Sequence, residues 1–510
     1  MPEKPFPKNL TIFPFLIWLT IALGFVFAFS CKPSDSNKSE MAESNREFAW
    51  KSQFPNLGTL SSPRTADLNK DGIYDIIVGM GRLEFQSIDT AIVALDGETG
   101  DVLWKRPAID QIFGSAMLME ITGDGIEDIF IGGRSATLQA INGATGELVW
   151  EFSQHIDKSL IHTKYFNFYN PQSIPDQTGD GIPDILISNG GNVLKAAYDE
   201  DRPIGRLMVL DASNGKIIQE AEMPDGKETY YSVTLSSGQS AKDIQVTFGT
   251  GGETVGGSFY VCSLQEVLNG DLSKYTKLAT GRIKGFIAPA VWMDLNGDGQ
   301  EDIIVSAVDG NVFAFDGKTK KELWKTNIYG SEIYTTPAVG HFMEAGKLDV
   351  FVVANTGIWP SFFENKNVLI DGLTGKIKYG EDFGNFQTSS PLIVDTDGDG
   401  IDEVILSVNK EAADPSGIKF FSNTVMLIDI NKKEKKELNA PLPGHNNSST
   451  PWIGDLNGDK LLDIVFCHST NAGSSYAFDD MQVKLIKTKI PITKTITWGA
   501  YMGSRYLGRE

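Results

Sequence analysis

Cysteine and histidine are scarce in this 510-residue chain, which holds three cysteines and five histidines. Apart from Cys31, considered below, the cysteines are Cys262 and Cys467, which lie about half of a repeat array apart. We predict no disulfide between them. None of the histidines stands in an H-E-x-x-H spacing, and no G-x-S-x-G sequence occurs. The chain therefore lacks these signatures of a metal hydrolase and of an α/β-hydrolase.

Positive charge is also in short supply. Lys and Arg total 45 against 66 Asp and Glu, which gives a formal net charge of −21. Nucleic acids and anionic membrane surfaces both present negative charge and repel such a protein. We therefore predict no nucleic-acid partner, and contact with a membrane only through an N-terminal lipid.

The N-terminus carries an uncharged, mostly apolar run from Leu10 to Ser30. Its end, Ala28-Phe29-Ser30-Cys31, resembles the lipobox of bacterial lipoprotein signal peptides, in which the cysteine is lipidated. We predict a signal peptide over residues 1–30, lipidation of Cys31 and a flexible polar tether over 31–45. The alternative is an uncleaved membrane anchor. Either interpretation places the rest of the chain outside the cytoplasm, tethered to a bacterial cell envelope.

The most informative motif is an acidic loop that leads into an apolar strand. Asp67-Leu-Asn-Lys-Asp-Gly-Ile-Tyr-Asp75 is followed at once by Ile-Ile-Val-Gly. Oxygen-bearing side chains occupy positions 1, 3, 5 and 9, and Gly72 at position 6 allows a sharp turn. Calcium takes six to eight oxygen ligands at about 2.3 to 2.6 Å, so a short chain must wrap around the ion. The spacing predicts a calcium loop.

This loop recurs. Two copies have threonine at the third position, where it offers only a hydroxyl or indirect contact, and another has Lys460 where glycine is expected. The candidate metal ligands of the six loops are Asp67, Asn69, Asp71 and Asp75; Glu120, Asp124 and Asp128; Asp176, Asp180 and Asp184; Asp294, Asn296, Asp298 and Asp302; Asp395, Asp397, Asp399 and Glu403; and Asp455, Asn457, Asp459 and Asp463.

The loops are spaced by 53 to 60 residues, or by about twice that distance. Each double gap holds one degenerate copy, at Asp243 and at Asp349, so there are eight units. A second motif runs in phase, as in Ile92-Val-Ala-Leu-Asp-Gly-Glu-Thr-Gly-Asp-Val-Leu-Trp104. It combines an alternating strand, a Gly/Asp turn and a second strand that ends on an aromatic residue. The pattern predicts an all-β fold, an eight-bladed β-propeller of four-stranded blades over residues 46–510.

The repeated tryptophan is expected to pack between blades. Two ways of closing the ring remain open. Phe48-Ala-Trp50 matches the last strand of a unit but precedes the first loop, so it can complete the blade built by the C-terminal residues. Alternatively, Ile496-Thr-Trp498-Gly-Ala-Tyr501 supplies that outer strand.

The two motifs resemble known repeats. The acidic loop followed by Ile-Ile-Val-Gly is similar to the FG-GAP or VCBS repeats of integrin α-chain propellers and bacterial surface proteins. The Asp-Gly-x-Thr-Gly-x-x-x-Trp segment resembles the PQQ-like repeat of quinoproteins and of an outer-membrane assembly lipoprotein. The resemblance implies structural calcium at the blade edges, up to six ions, at the positions given above.

The resemblance also raises two enzyme alternatives. Many quinoprotein dehydrogenases hold the quinone under a ring made by adjacent cysteines, and this chain has no Cys-Cys pair. Some pectin-cleaving lyases are eight-bladed calcium propellers, but such a site needs calcium and basic residues that converge on the channel. Repeats of this kind are specific for the fold and poor guides to activity.

Binding is the function that the sequence favours. Several of the longer loops between strands carry aromatic residues, which are common anchors for glycans and proteins. We expect a binding or scaffold module whose partner is a protein or a glycan; the alternative is that these rings only cap the channel or pack locally. The ligand-face candidates are Phe85, Trp359, Phe362, Phe363, Phe420 and Phe421.

Overall fold

A computed structural model describes residues 48–281, 283–413, 416–471 and 477–509. They form eight antiparallel sheets, an all-β, eight-bladed propeller of four-stranded blades, as the sequence predicts. The predicted signal peptide over 1–30, the lipidation site at Cys31 and the tether over 31–45 lie outside the described residues.

The first four blades follow the chain order from the channel outward. Blade 1 contains Arg64–Ala66, Asp75–Gly79, Ile88–Leu95 and Val102–Ala108. Blade 2 contains Met117–Met119, Asp128–Gly132, Leu138–Ile141 and Leu148–Glu151. Blade 3 contains Asn167–Phe168, Gln172–Ile174, Asp184–Gly190, Arg206–Leu210 and Ile217–Glu222. Blade 4 contains Thr234–Leu235, Gln245–Gly249, Ser258–Ser263 and Thr276–Thr280.

Blades 5 to 7 repeat the plan, and blade 8 takes its outer strand from the N-terminus. Blade 5 contains Val291–Met293, Asp302–Ser306, Asn311–Phe315 and Glu322–Asn327. Blade 6 contains Ser331–Glu332, Ala338–Gly340, Asp349–Ile358, Ser361–Asp371 and Ile377–Asp382. Blade 7 contains Leu392–Val394, Glu403–Ala413, Lys419–Asp429, Glu434–Glu437 and Leu442–Pro443. Blade 8 contains Trp452–Gly454, Leu461–Ser469, Asp480–Pro491 and Trp50–Pro55.

Blades 3 and 6 show why a fifth strand appears in some sheets. Their inner strand is split into two segments that pair with the same second strand, and Pro171 or Pro337 lies between the segments. Proline has no N–H to give to a strand ladder, so pairing is interrupted there.

Burial follows the position of a strand within its blade. All five residues of the second strand of blade 1, Asp75–Gly79, are buried, because neighbouring blades cover both faces of the sheet. The outer strand Val102–Ala108 instead alternates between exposed and buried side chains, since one face meets solvent. The hydrophobic core is therefore distributed between the blades around the ring.

The motif tryptophans lie between blades, which confirms the prediction. Each is nearly buried, and its indole N–H donates to a carbonyl in the turn before the outer strand of the next blade. The tight fit requires glycine, since a Cβ on Gly146, whose φ is +72°, would lie 2.6 Å from the Trp104 ring. The indole hydrogen bonds join Trp50 to Gly97 (2.9 Å), Trp104 to Gly143 (2.8 Å), Trp150 to Ala212 (2.8 Å) and Trp324 to Gly372 (2.7 Å).

The N-terminal strand closes the ring. Trp50–Pro55 runs antiparallel to Asp480–Pro491, with Trp50 opposite Leu485, and forms the outer edge of blade 8. The first of the two closures considered above is therefore confirmed. The alternative, with residues 496–501 as the outer strand, is wrong because that place is already filled.

Residues 496–509 instead fill the channel. The backbone N–H groups of Ile393 and Ile453 donate to the carbonyls of Trp498 (3.2 Å) and Gly499 (2.7 Å), which ties this segment to blades 7 and 8. In the adjoining blade 1, the guanidinium of Arg64 donates to the Tyr501 carbonyl at 2.7 Å. Across the channel, the backbone N–H of Trp292 in blade 5 donates to the Gly508 carbonyl at 2.9 Å. We call residues 496–509 the C-terminal plug.

In the part of the chain that the structure describes, the helices are few and short: the 3-10 turns Phe152–Gln154 and Lys158–Leu160 and the α-helix Leu264–Leu268. None of the helices in the described part of the chain has the length and hydropathy needed to span a membrane.

Blade 8 holds a buried basic pair that should make stability depend on pH. His468 Nδ1 lies 3.2 Å from Lys484 Nζ, and burial together with the lysine charge lowers the pKa of His468 well below its usual 6.5. His468 is thus neutral in the folded protein and protonates near pH 6.5 once unfolded. Its contribution is complete above pH 6.5 and is lost as the pH falls below that value, by up to about 1.4 kcal/mol per pH unit.

Urea unfolding between pH 7.5 and 5.5 should therefore show a shallower loss of stability for His468→Gln than for the wild type. His155→Gln, which alters an exposed histidine, is the control and should keep the wild-type slope. Equal slopes in all three proteins would contradict the assignment of the titrating group.

Candidate functional site

A cavity of about 800 Å³ opens at one end of the channel. Its wall is made by the segments that lead into the inner strands and by the loops between second and third strands. Tyr501 of the C-terminal plug lines its inner end, so the channel is closed below. A volume of this size is typical of ligand pockets. The aromatic residues of the wall are Phe85, Phe113, Tyr169, Tyr230, Tyr334 and Trp359.

A belt of hydrogen bonds between blades supports the cavity. At each of six junctions, a backbone N–H of one blade donates to a hydroxyl or amide oxygen of the next, so adjacent inner strands are held at a fixed spacing. The junction between the last and first blades is included, because the Thr450 N–H donates to Ser62 Oγ at 3.0 Å. The other pairs are Ser62 with Ser115, Ser115 with Asn170, Asn170 with Ser232, Thr336 with Ser390 and Ser390 with Thr450.

Sequence reasoning missed Phe113, Tyr169, Tyr230 and Tyr334, although a signal exists. Three of them stand two residues before a belt residue, as in Tyr230-Tyr-Ser232, and Tyr169 stands directly before one. Belt residues are often followed by proline, as at Ser62-Pro63. Aligning the repeats on this Ser/Thr-Pro sequence would have identified these aromatic residues.

Ion pairs fix the polar parts of the wall. The Arg134 guanidinium lies 2.6 Å from Glu84 and 4.7 Å from the centre of the Phe113 ring. On the opposite side, Lys284 pairs with Glu332 at 2.8 Å. Glu332 also accepts hydrogen bonds from the hydroxyl of Tyr334 (2.7 Å) and the backbone N–H of Trp359 (3.2 Å), so it fixes the Tyr334 ring and the backbone at Trp359.

Three cavity tyrosines, Tyr169, Tyr230 and Tyr501, stay protonated at neutral pH. Burial raises the pKa of Tyr169 and Tyr230 well above the ordinary value, and it raises the pKa of Tyr501 to about 12. They therefore act as neutral, amphipathic rings and not as bases.

The predicted ligand-face residues separate into two groups. Trp359 and Phe85 line the cavity. Phe362 is buried behind Trp359, with ring centres 6.0 Å apart, whereas Phe363 points outward and is 66% exposed. Phe420 is 38% exposed on the neighbouring hairpin, and Phe421 packs against His445. The structure therefore does not bring the predicted aromatics together in one surface.

The acidic loops lie at the other end of the inner strands from the cavity, because each loop joins an inner strand to the second strand of its blade. In all six, the ninth residue is buried and accepts the backbone N–H of the second residue, as Asp75 does from Leu68 at 2.9 Å. Asp75 also accepts the Gly97 N–H at 3.0 Å, which ties the loop to a turn of the same blade. The ninth residues are Asp75, Asp128, Asp184, Asp302, Glu403 and Asp463.

Burial raises the pKa of these ninth-position carboxyls, and the pKa of Asp75 and of Asp463 reaches about 6. The first residue of each loop forms the turn. Asp67, for example, accepts the N–H of Gly72 at 3.1 Å, and Asp455 accepts that of Lys460 at 2.9 Å. Lys460 adopts the left-handed φ of 63° that glycine takes in the other loops. The predicted loop conformation thus tolerates the lysine.

The fit to a metal ion differs between loops. Within the described residues, one group of three carboxylates has ligand atoms within 4.8 Å of one another, and it consists of Asp395, Asp397 and Asp399 in blade 7. Lys494 lies 2.7 Å from Asp395 and Lys432 lies 2.8 Å from Asp397, so both lysines compete with a cation for these oxygens. In the degenerate loop of blade 6, Lys378 pairs with Asp349 at 2.7 Å.

A quinone held under adjacent cysteines does not fit this chain. Cys262 and Cys467 are free and buried in two separate core clusters. Neither residue lines the cavity.

Comparison with known proteins places these features in context. The family model PQQ_2, described as outer membrane protein assembly factor BamB, matches residues 49–326. Protein FAM234A of Mus musculus is 24% identical over 226 residues, which is 38% of this chain and 38% of that protein. The chain thus spans well under half the length of this curated relative.

Two solved structures are similar in fold. Quinohemoprotein alcohol dehydrogenase from Comamonas testosteroni superposes with a TM-score of 0.56 at 12% identity, covering 89% of this chain and 78% of that one. Sqt1 from Saccharomyces cerevisiae gives a TM-score of 0.53 at 7% identity, covering 87% and 99%. At these identities the likeness shows the fold alone.

Proposed function

Because this chain belongs to the PQQ_2 family, described as outer membrane protein assembly factor BamB, we propose that it is a binding or scaffold module for a protein or a glycan. The ligand enters the central cavity, and the blades act as a rigid frame. We also propose that the propeller is held at the envelope of a bacterial cell by a lipid on Cys31.

One observation carries the binding proposal: aromatic side chains from several blades face a single cavity whose inner end is closed. Aromatic rings bury large apolar area at low cost in conformational entropy, and such rings dominate binding energies where water is excluded. Because Glu332 and Lys284 hold Trp359 and Tyr334 in place, the wall is organised before a ligand arrives.

Trp359→Ala is expected to weaken ligand capture by at least tenfold, since truncating an aromatic anchor of an interface costs roughly 2 kcal/mol or more. Capture is measured on a glycan array and by pull-down with the full chain. Phe363→Ala is the matched control, because it removes an exposed ring of the same hairpin outside the cavity. If Phe363→Ala loses capture and Trp359→Ala does not, the binding surface is the hairpin tip and the cavity proposal is wrong.

We further propose that calcium binds the acidic loops and stabilises the propeller. The repeated spacing of oxygen ligands and the clustered carboxylates of Asp395, Asp397 and Asp399 support this. Extracellular calcium modules have dissociation constants of about 10⁻⁴ to 10⁻³ M. At millimolar calcium each site therefore adds roughly 0.4 to 1.4 kcal/mol.

EDTA should then lower the melting temperature, by several degrees if six sites are filled. Asp397→Asn should reduce this shift, whereas Asp89→Asn, an exposed change outside the acidic loops, should leave it intact. An unchanged melting temperature in EDTA would show that calcium does not stabilise this protein.

A further inference from the structure

Four glutamates lie at or just behind the cavity wall, and three of them have a cation beside them. Glu84 pairs with Arg134 at 2.6 Å, Glu228 with Arg202 at 3.5 Å and Glu332 with Lys284 at 2.8 Å. The fourth, Glu253, lines the cavity and is only half-buried. Its carboxylate has no ion pair or hydrogen bond with any residue in the described ranges. Lys284 Nζ donates to the backbone carbonyl of Glu253, but its ion pair is with Glu332. Among the described residues, the Glu253 carboxylate is therefore the one of the four that has no cation paired with it.

One side of the cavity already shows how a cation is held there. The Arg134 guanidinium lies over the face of Phe113, 4.7 Å from the ring centre, while Glu84 balances its charge. Aromatic faces carry negative electrostatic potential and attract cations, the more so where water is excluded. A ring and a carboxylate together therefore form a cation site in this wall.

Glu253 stands in a similar setting, but its carboxylate has no cation paired with it. A Cβ on its neighbour Gly252 would lie 2.9 Å from the ring of Tyr230, so the chain runs directly against that ring. Tyr169 packs edge-on against Tyr230, with ring centres 6.4 Å apart. Both rings line the same cavity as Glu253. The rings and the carboxylate are present, and the positive charge is what a ligand has to supply.

We propose that the cavity binds an alkylammonium group, with Glu253 as its counter-ion and the rings of Tyr169 and Tyr230 beside it. This inference deepens the proposed function and rests on it. The group belongs either to a small free ammonium compound or to a lysine side chain of a bound peptide, since both present the same chemistry. A cavity of about 800 Å³ admits either.

The test uses the full chain and three probes, with binding followed by calorimetry or NMR. Choline carries the charge, 3,3-dimethyl-1-butanol is its neutral isostere, and an acetylated, amidated lysine represents a peptide. Choline should bind about tenfold or more tightly than the neutral isostere, because the attraction of its positive charge to the Glu253 carboxylate and to the ring faces is lost in the isostere. A tighter lysine derivative would indicate a peptide source, and tighter choline a small compound.

Glu253→Gln should weaken choline binding about tenfold and leave binding of the neutral isostere unchanged, because only choline is attracted to the carboxylate. Glu434→Gln, an exposed change in the outer strand of blade 7, is the control and should not alter it. Unchanged melting curves verify that both variants are folded. Equal binding of choline and the isostere, or no effect of Glu253→Gln, would overturn the inference. Loss of capture in Trp359→Ala would still support the cavity as a binding site in that case, so the two proposals fail separately.

Discussion

Replacing Trp498 with alanine will lower the free energy of unfolding by about 3 to 5 kcal/mol, the range seen when a large buried aromatic residue is truncated. The Trp498 side chain is 1% exposed and packs in one core cluster with side chains of blades 5 to 7. Its removal leaves a cavity at the point where these blades converge. Because the segment is also hydrogen-bonded to blades 7 and 8 through its backbone, it cannot move freely to fill that space.

Chemical unfolding of Trp498→Ala measures this cost, and Tyr329→Ala, which removes a side chain that is 87% exposed, serves as the control. The control should stay within about 0.5 kcal/mol of the wild type. A loss below about 1 kcal/mol for Trp498→Ala would mean that the C-terminal plug is not part of the folded core. It would also remove the reason to regard the cavity as closed, since Tyr501 belongs to the same segment.

The plug is also the part of the fold that the sequence could not reveal. Residues 496–501 carry apolar side chains at alternate positions, one of them a tryptophan, so they resemble an outer strand. In the structure, Trp50–Pro55 forms the outer strand of blade 8 instead. Which of the two segments takes this position depends on pairing between the two ends of the chain. The repeats themselves could be predicted from the sequence. Every blade must bury the same faces of its strands and therefore keeps the same pattern of apolar residues and turns.

The candidate site was harder to predict for two reasons. In the long hairpin of blade 6, Phe362 turns inward and Phe363 outward, as alternation along a strand requires, but sequence does not show which of the two faces the cavity. In the acidic loops, the ninth carboxylate fits a calcium ligand by spacing. In blade 1, this carboxylate belongs to Asp75 and also accepts the N–H of Gly97. Gly97 lies 22 residues further along, in a turn that the loop motif does not include. Whether the ion binds there stays a prediction.

Trp50→Ala tests whether closure of the ring is cooperative, and we expect a loss of about 3 to 5 kcal/mol. Trp50 is 7% exposed, donates to the Gly97 carbonyl of blade 1 and belongs to a strand paired with Asp480–Pro491. Trp324 makes the same contacts at an interior junction, where it donates to Gly372. Trp324→Ala is therefore the matched comparison, because only its place in the ring differs.

Similar losses of stability in both variants would mean that the N-terminal strand unfolds together with the ring. If Trp50→Ala costs little, the strand detaches by itself, and closure then depends on other contacts between blades 8 and 1, such as the hydrogen bond from Thr450 to Ser62. Detachment would also expose the edge of Asp480–Pro491, whose free N–H and C=O groups favour pairing between molecules. Faster aggregation of Trp50→Ala than of Trp324→Ala, measured by light scattering under conditions in which both variants remain folded, would be the sign of that opening.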